Sequence, residues 1–166
     1  SIDRTLEIVK KYNIEILQNK WINYSKQLNW GIENANVKTD WILRIDSDEC
    51  VTKNLAKEIR ENLNKFSSNI FGLTVNRQLV FFGKKIKYGG LYPQKLLRIW
   101  RNGKGKCEDS WMDEHIIVDS GTAHLDGDIV DNNLNNFQWW IDKHNRYSSR
   151  KAISFLVEEK NKSSSE

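Results

Sequence analysis

Residues 46–49 read Asp-Ser-Asp-Glu, three carboxylates in four positions, directly after the apolar run Trp41-Ile42-Leu43-Arg44-Ile45. Carboxylates this close raise one another's pKa unless a cation compensates. Hard oxygen ligands suit Mg²⁺ or Mn²⁺, ions that bridge a protein carboxylate to a substrate diphosphate. Asp46 and Asp48 alternate with Ser47, so an extended backbone would turn both carboxylates to one side. A plainer alternative is a solvated strand end ahead of a helix whose N-terminus favours acids. The Asp-x-Asp pattern by itself does not choose between them. An EF-hand loop starting at Asp46 would need Gly at its sixth position and Glu at its twelfth; those positions are Val51 and Lys57. A phosphatase working through an aspartyl-phosphate, with Asp46 as nucleophile, normally carries Thr or Val where this chain has Cys50.

The elements that must hold these acids follow from the hydrophobic pattern. Leu6, Val9 and Tyr12 have helical spacing, with Asp3 or Thr5 as the cap. Ile14–Gln18 reads as a short strand. Ser25 is placed to cap a helix with Leu28, Ile32 and Ala35 on one face. The run Trp41–Ile45 is that of a strand buried on both faces of a parallel sheet, which puts residues 46–49 beyond a carboxyl end, where ligands of open α/β sheets gather. A helix follows, bearing Leu55, Ile59, Leu63 and Phe66. Helix and strand therefore alternate over the first 70 or so residues, an α/β pattern. The middle of the chain turns to strands: IFGLTV, LVFFGKKIKYGG with its glycine punctuation, QKLLRIW running into the turn RNGKGK, and HIIVDSGTAHL as a hairpin closed near Ser120-Gly121. Leu134, Phe137, Ile141 and His144 share a helical face, a second helical segment spans about 149–160, and NKSSSE (161–166) reads as a disordered tail.

The 166 residues suit one domain with a core of its own, taken here as 1–160. A net charge of +4 is spread along the chain rather than blocked, a solvated surface that tolerates anions but not a nucleic-acid footprint. Cys50 and Cys107 are far apart, without a CxxC pair, which fits a reducing, cytoplasmic setting rather than a disulfide framework. No apolar run approaches the roughly 20 residues of a membrane span.

In order along the chain, SIDRT resembles the S-x-D-x-T after the second strand of family 2 glycosyltransferases, QLNWGI their Asn-bearing helix, and DWILRIDSDE their DxD strand. FFGKKIKYGGLYPQKLLRIWR and WMDEH are similar to the β-1,4-glucosyltransferase-like bacterial branch that builds lipopolysaccharide core or capsule. The resemblance implies a GT-A-type, Rossmann-like nucleotide-sugar-binding sheet flanked by helices. It also implies that the family's first strands precede Ser1, so that the nucleotide pocket of this chain is incomplete. The implied activity is inverting, metal-dependent transfer of a sugar from a nucleoside-diphosphate donor, UDP first among them, to a glycan or lipid-linked acceptor, with possible work at the inner membrane face.

Matched to the family motifs, Asp48 becomes the ligand of Mn²⁺ or Mg²⁺, with Asp46 contacting ribose or the metal shell. Asp3 matches an acid near the nucleotide, unless it is only a helix cap, and Asn29 matches a nucleotide contact, unless it caps locally. The family also implies a carboxylate base well downstream. CEDSWMDEH offers Glu108, Asp109, Asp113 and Glu114; its His-Glu pattern favours Glu114, then Asp113. His115 would orient the base or meet phosphate, or be an ordinary half-buried His. Arg98 would meet the diphosphate or be an ordinary strand arginine, and Trp111 would carry an acceptor sugar on its face. Trp30, Trp41 and Trp140 read as packing, His144 as structural, and His124 carries no signal. Two other functions are compatible with the residues: the phosphatase above, and a carbohydrate-binding remnant without catalysis.

Overall fold

A computed structural model describes residues 3–109 and 114–163, with the backbone alone for Ser154 and 157–163. Two helices, α1 (Thr5–Val9) and α2 (Tyr24–Asn34), precede strands β1 (Trp41–Leu43) and β2 (Glu49–Val51). Helix α3 (Lys53–Asn62) ends in a 3₁₀ turn, and β3 (Ile70–Phe81), β4 (Lys84–Lys85), β5 (Gln94–Arg101), β6 (Gly105–Cys107), β7 (Ile116–Val118) and β8 (Gly121–Asn132) follow. Helix α4 (Phe137–Ser163) closes the chain. The sheet order is β1-β5-β3-β8-β2, with β4 on β3; β3 and β8 are parallel and the other pairs antiparallel. The result is a mixed sheet flanked by helices, the α/β, GT-A-like class expected from the sequence.

Alternation along the strands sends side chains to two faces. On one, Leu73, Val75, Ile99, Leu125 and Ile129 form a core closed by Leu55 of α3, with Ile59, Leu63 and Phe66 packed against it. On the other, Trp100 packs with Cys107 and Ile116 of the β6–β7 hairpin, and Leu28 and Ile32 of α2 cover them. Thus the expected faces of α2 and α3 meet the sheet, whereas Leu134, Phe137 and Ile141 of the late helical face are exposed. Thr52 caps α3 through Oγ1, which accepts from the Leu55 amide, while the same hydroxyl donates to the Asp128 carbonyl of β8.

Several elements differ from expectation, each for a pairing reason. The run Trp41–Ile45 does not lie inside a parallel sheet: β1 is antiparallel to β5, at the edge of the described sheet, and Leu43 and Ile45 are exposed. Residues Ile14–Gln18 form no strand, because no described strand runs beside them to supply a ladder. The segment from His115 to Leu125 is no hairpin. Its first arm, β7, pairs with β6, and its second, β8, lies between β3 and β2. Asn23, not Ser25, caps α2, accepting from the Lys26 amide; Ser25 is buried in the first turn. Arg4 occupies the cap position of α1, while Asp3 Oδ1 accepts from the Thr5 amide. The two late helical segments are one helix, α4, and Leu134 lies ahead of it.

Candidate active site

A cleft of about 570 Å³ opens at the ends of β1 and β5. Asp46, Asp48, Arg98, Glu114 and His115 all line it, although they come from three separate segments of the chain. Asp113 and Trp111 lie outside the described residues. Asp3 and Asn29 do not line the cleft. Asn29 instead ties α2 to β6: its Nδ2 donates to the Cys107 carbonyl and its Oδ1 accepts from the Cys107 amide, both at 2.8 Å.

The acidic segment is a turn rather than an extended strand. The Glu49 amide donates to the Asp46 carbonyl at 3.0 Å, and Glu49 Oε2 accepts from the Asp46 amide at 2.9 Å. The two aspartates therefore take different partners. Asp46 Oδ1 accepts from the Tyr24 hydroxyl and from Arg44, and Oδ2 from Arg44 and Arg98. Burial pushes the Asp46 carboxyl up, but the charges of Arg44 and Arg98 and the Tyr24 and Arg44 hydrogen bonds outweigh it and hold it below the usual range. Asp48 Oδ2 accepts from Asn133 Nδ2 at 3.2 Å, and Asp48 forms no ion pair among the described residues. Arg98, 5% exposed, reaches the buried Glu49 carboxylate at 2.5 Å. Burial raises the Glu49 pKa, with the negative charges of Asp46 and Asp131 adding to it against the pull of Arg98.

Of the downstream acids, Glu114 faces the cleft and makes no ion pair among the described residues. Glu108 is spoken for: its Oε1 accepts from the His115 amide at 2.9 Å and pairs with His115 Nδ1 at 2.8 Å, which lowers its pKa. His115 is thus fixed by Glu108, next to Glu114 in the chain. Asp109 accepts from the Ser25 hydroxyl at 3.4 Å.

The structure adds cleft residues that the sequence reading passed over: Tyr24, Arg44, Arg77, Lys95, Asp131, Lys143 and Arg150. Arg44 alone carried a signal, its two-residue spacing from Asp46. Arg77 pairs with Asp131 across β3 and β8. Lys95 and Arg150 have no ion pair among the described residues, so they stand available to an anion. Trp41 packs on the core as expected, whereas Trp140 and His144 are exposed and lie in an aromatic group that faces a neighbouring cleft. His124 bonds Thr74.

Among the described residues no three His, Cys, Asp or Glu side chains gather as a metal cluster. Asp46 would have to release two guanidinium groups to become a ligand. Asp48 has an oxygen without a hydrogen bond among the described residues and lines the cationic cleft. One carboxylate with phosphate oxygens is a familiar Mg²⁺ arrangement, so the residues fit an ion held by Asp48 and a bound diphosphate. They do not fit one chelated by both aspartates. The same pairing leaves Asp46 poorly placed to act as a phosphatase nucleophile.

No helix among the described residues is long and apolar enough to cross a membrane. The sequence model of glycosyl transferase family 2 matches residues 1–125, a span that takes in the DxD turn, Arg98, Glu108 and Glu114. The chain belongs to glycosyl transferase family 2, whose members move sugars from nucleotide-sugar donors.

Proposed function

We propose that this chain carries an inverting, metal-dependent transfer of a hexose from a UDP-sugar to a glycan or lipid-linked saccharide acceptor of a bacterial surface polysaccharide. The observation that supports it most is the single cleft that joins Asp48 to Glu114 among cations. Asp48 would hold Mn²⁺ or Mg²⁺, and the ion would neutralise charge on the departing diphosphate. Lys95 and Arg150 would attract the same diphosphate, as free cations in a cleft do. Glu114 would take the proton of the acceptor hydroxyl as its oxygen bonds the anomeric carbon and the bond to the diphosphate breaks. Arg44 and Arg98 occupy the Asp46 carboxylate at the cleft wall, so its role would be to shape the turn that presents Asp48 rather than to hold the ion.

Calorimetric titration of UDP with and without Mn²⁺ tests the reading, alongside Asp48→Ala. Metal-dependent binding that the variant loses is the expected result. Equal binding by both proteins, or none to either by any nucleoside diphosphate, would sink it.

A further inference from the structure

A second cleft, about 450 Å³, adjoins the first. Asp48, Arg77, Asp131, Lys143 and Tyr147 line both, so the Asp48 carboxylate stands where the two meet. The character of the walls changes across that border. The first cleft is dominated by charge, whereas Phe81, Phe82, Trp139 and Trp140 face the second, with Asn133 and Asn135 at its polar edge.

The walls are built by two turns. Phe82 and Gly83 connect β3 to β4 with φ of 47° and 74°, the two positive values of a type I′ turn. Such a turn is normally made by Asn or Gly, and a bulky side chain at positive φ is disfavoured. Here the Phe82 ring lies on Phe81 at 4.5 Å and near Phe137 at 6.0 Å, yet remains 58% exposed. Opposite it, Asn136 Oδ1 accepts from the Trp139 amide and starts α4, and Trp140 packs edge-on to Phe81 at 5.4 Å. Lys143 Nζ sits over Trp139 and over Tyr147, at 5.0 and 5.4 Å, joining the two rings that lead back to the first cleft. Asn133 Oδ1 is used by Asn135, whose own Oδ1 accepts nothing among the described residues.

We propose that this second cleft is the saccharide subsite for the acceptor, with Trp139 and Tyr147 as ring platforms and Asn135 meeting hydroxyls. The apolar faces of pyranose rings pack on aromatic rings, while their hydroxyls need the hydrogen bonds that amides and carboxylates supply. A purely lipid occupant would cover the Asn135 side-chain carbonyl without giving it a hydrogen bond, at a cost. Continuity with the Asp48 cleft places a sugar bound here within reach of the donor. The assignment as an acceptor site rests on the transferase reading; the assignment as a saccharide site does not.

Saturation-transfer NMR separates the two. The probes are the methyl glycosides of glucose, galactose, mannose and N-acetylglucosamine, each with and without UDP and Mn²⁺, with decyl phosphate as the lipid-like probe. Ring-proton transfer to at least one glycoside is expected, lost in Trp139→Ala, retained in Trp139→Phe and weakened in the exposed-site variant Asn135→Ala, while UDP affinity stays within twofold. Silence from every glycoside, transfer unchanged in Trp139→Ala, or decyl phosphate binding alone would overturn the subsite. Glycoside transfer that survives failure of the UDP titration would instead refute the transferase reading and leave the saccharide site standing.

Discussion

Arg98 and Glu49 form a buried pair across the sheet, the guanidinium on β5 and the carboxylate at the head of β2, 2.5 Å apart. The same guanidinium nitrogen lies 3.3 Å from Asp46 Oδ2. One arginine therefore fixes both ends of the turn that carries Asp48.

Arg98→Leu should be severely destabilising. It strands Glu49 without its cation in a site where both side chains are nearly inaccessible. Breaking one member of a buried pair costs about 3–5 kcal/mol, read as a lower denaturant midpoint at unchanged slope. Arg98→Leu combined with Glu49→Leu should recover part of the loss, because removing both charges removes the stranded one. A double variant no better than the single would show that Asp46, not Glu49, is the partner that matters.

Asp46 gives a pH dependence with a definite sign. Its carboxyl is held below its unfolded value, so its contribution to stability is present above the ordinary aspartate range, near pH 4, and is lost as pH falls through the lowered folded pKa. Glu49 acts oppositely: its raised pKa means that the fold loses stability as pH rises through the ordinary glutamate range and up to the raised value. Asp46→Asn should flatten the acid limb of a stability–pH curve. A curve as steep as that of the parent would refute the assignment.

Glu114→Gln keeps size and hydrogen-bonding shape but removes the base. Turnover should fall by about 10²- to 10⁴-fold while UDP binding in the presence of Mn²⁺ is unchanged. Glu108→Gln should fall much less, since Glu108 reaches the reaction only through His115. Equal losses in both would move the base elsewhere in the segment, where Asp113 is the next residue to replace.

Gly127 carries a packing constraint with no catalytic content. An added Cβ would lie 2.5 Å from Leu55 Cα and 2.6 Å from Leu55 N, main-chain atoms of α3 that cannot swing aside. Overpacking typically costs about 1–3 kcal/mol, and Gly127→Ala should reach the upper end or beyond. A melting curve like that of the parent would mean that α3 shifts freely on the sheet.

What the sequence disclosed depended on how local each signal was. The 3.6-residue spacing of Leu55, Ile59 and Leu63 is contained in one helix, and α3 follows from it directly. Trp41–Ile45 carries no mark of its partner: β5 lies some fifty residues on, so an apolar edge strand resembled a central one. The same holds for Ile116–Val118, whose partner β6 lies before it rather than after. In the site, the family motifs named Asp46, Asp48 and Glu114, side-chain chemistry and position added Arg98 and His115, and all five line one cleft. Arg77, Lys95 and Lys143 belong to strands and a helix with patterns of their own, and only tertiary structure brings them to the same place.

Asn29 is where motif and geometry give different roles, and one variant decides between them. The motif suggests a nucleotide contact. In the structure both ends of the amide are bonded to the Cys107 main chain, and Cys107 is buried with its thiol pKa pushed up to about 11 by burial. Asn29→Ala would leave a buried amide and carbonyl unpaired, at about 1–3 kcal/mol each where water cannot enter. The hairpin β6–β7, which leads to Glu108 and Glu114, would lose its tie to α2. Stability should therefore drop while the UDP dissociation constant, measured well below the melting transition, stays the same. A tenfold weaker UDP affinity with unaltered stability would instead restore Asn29 to the nucleotide site.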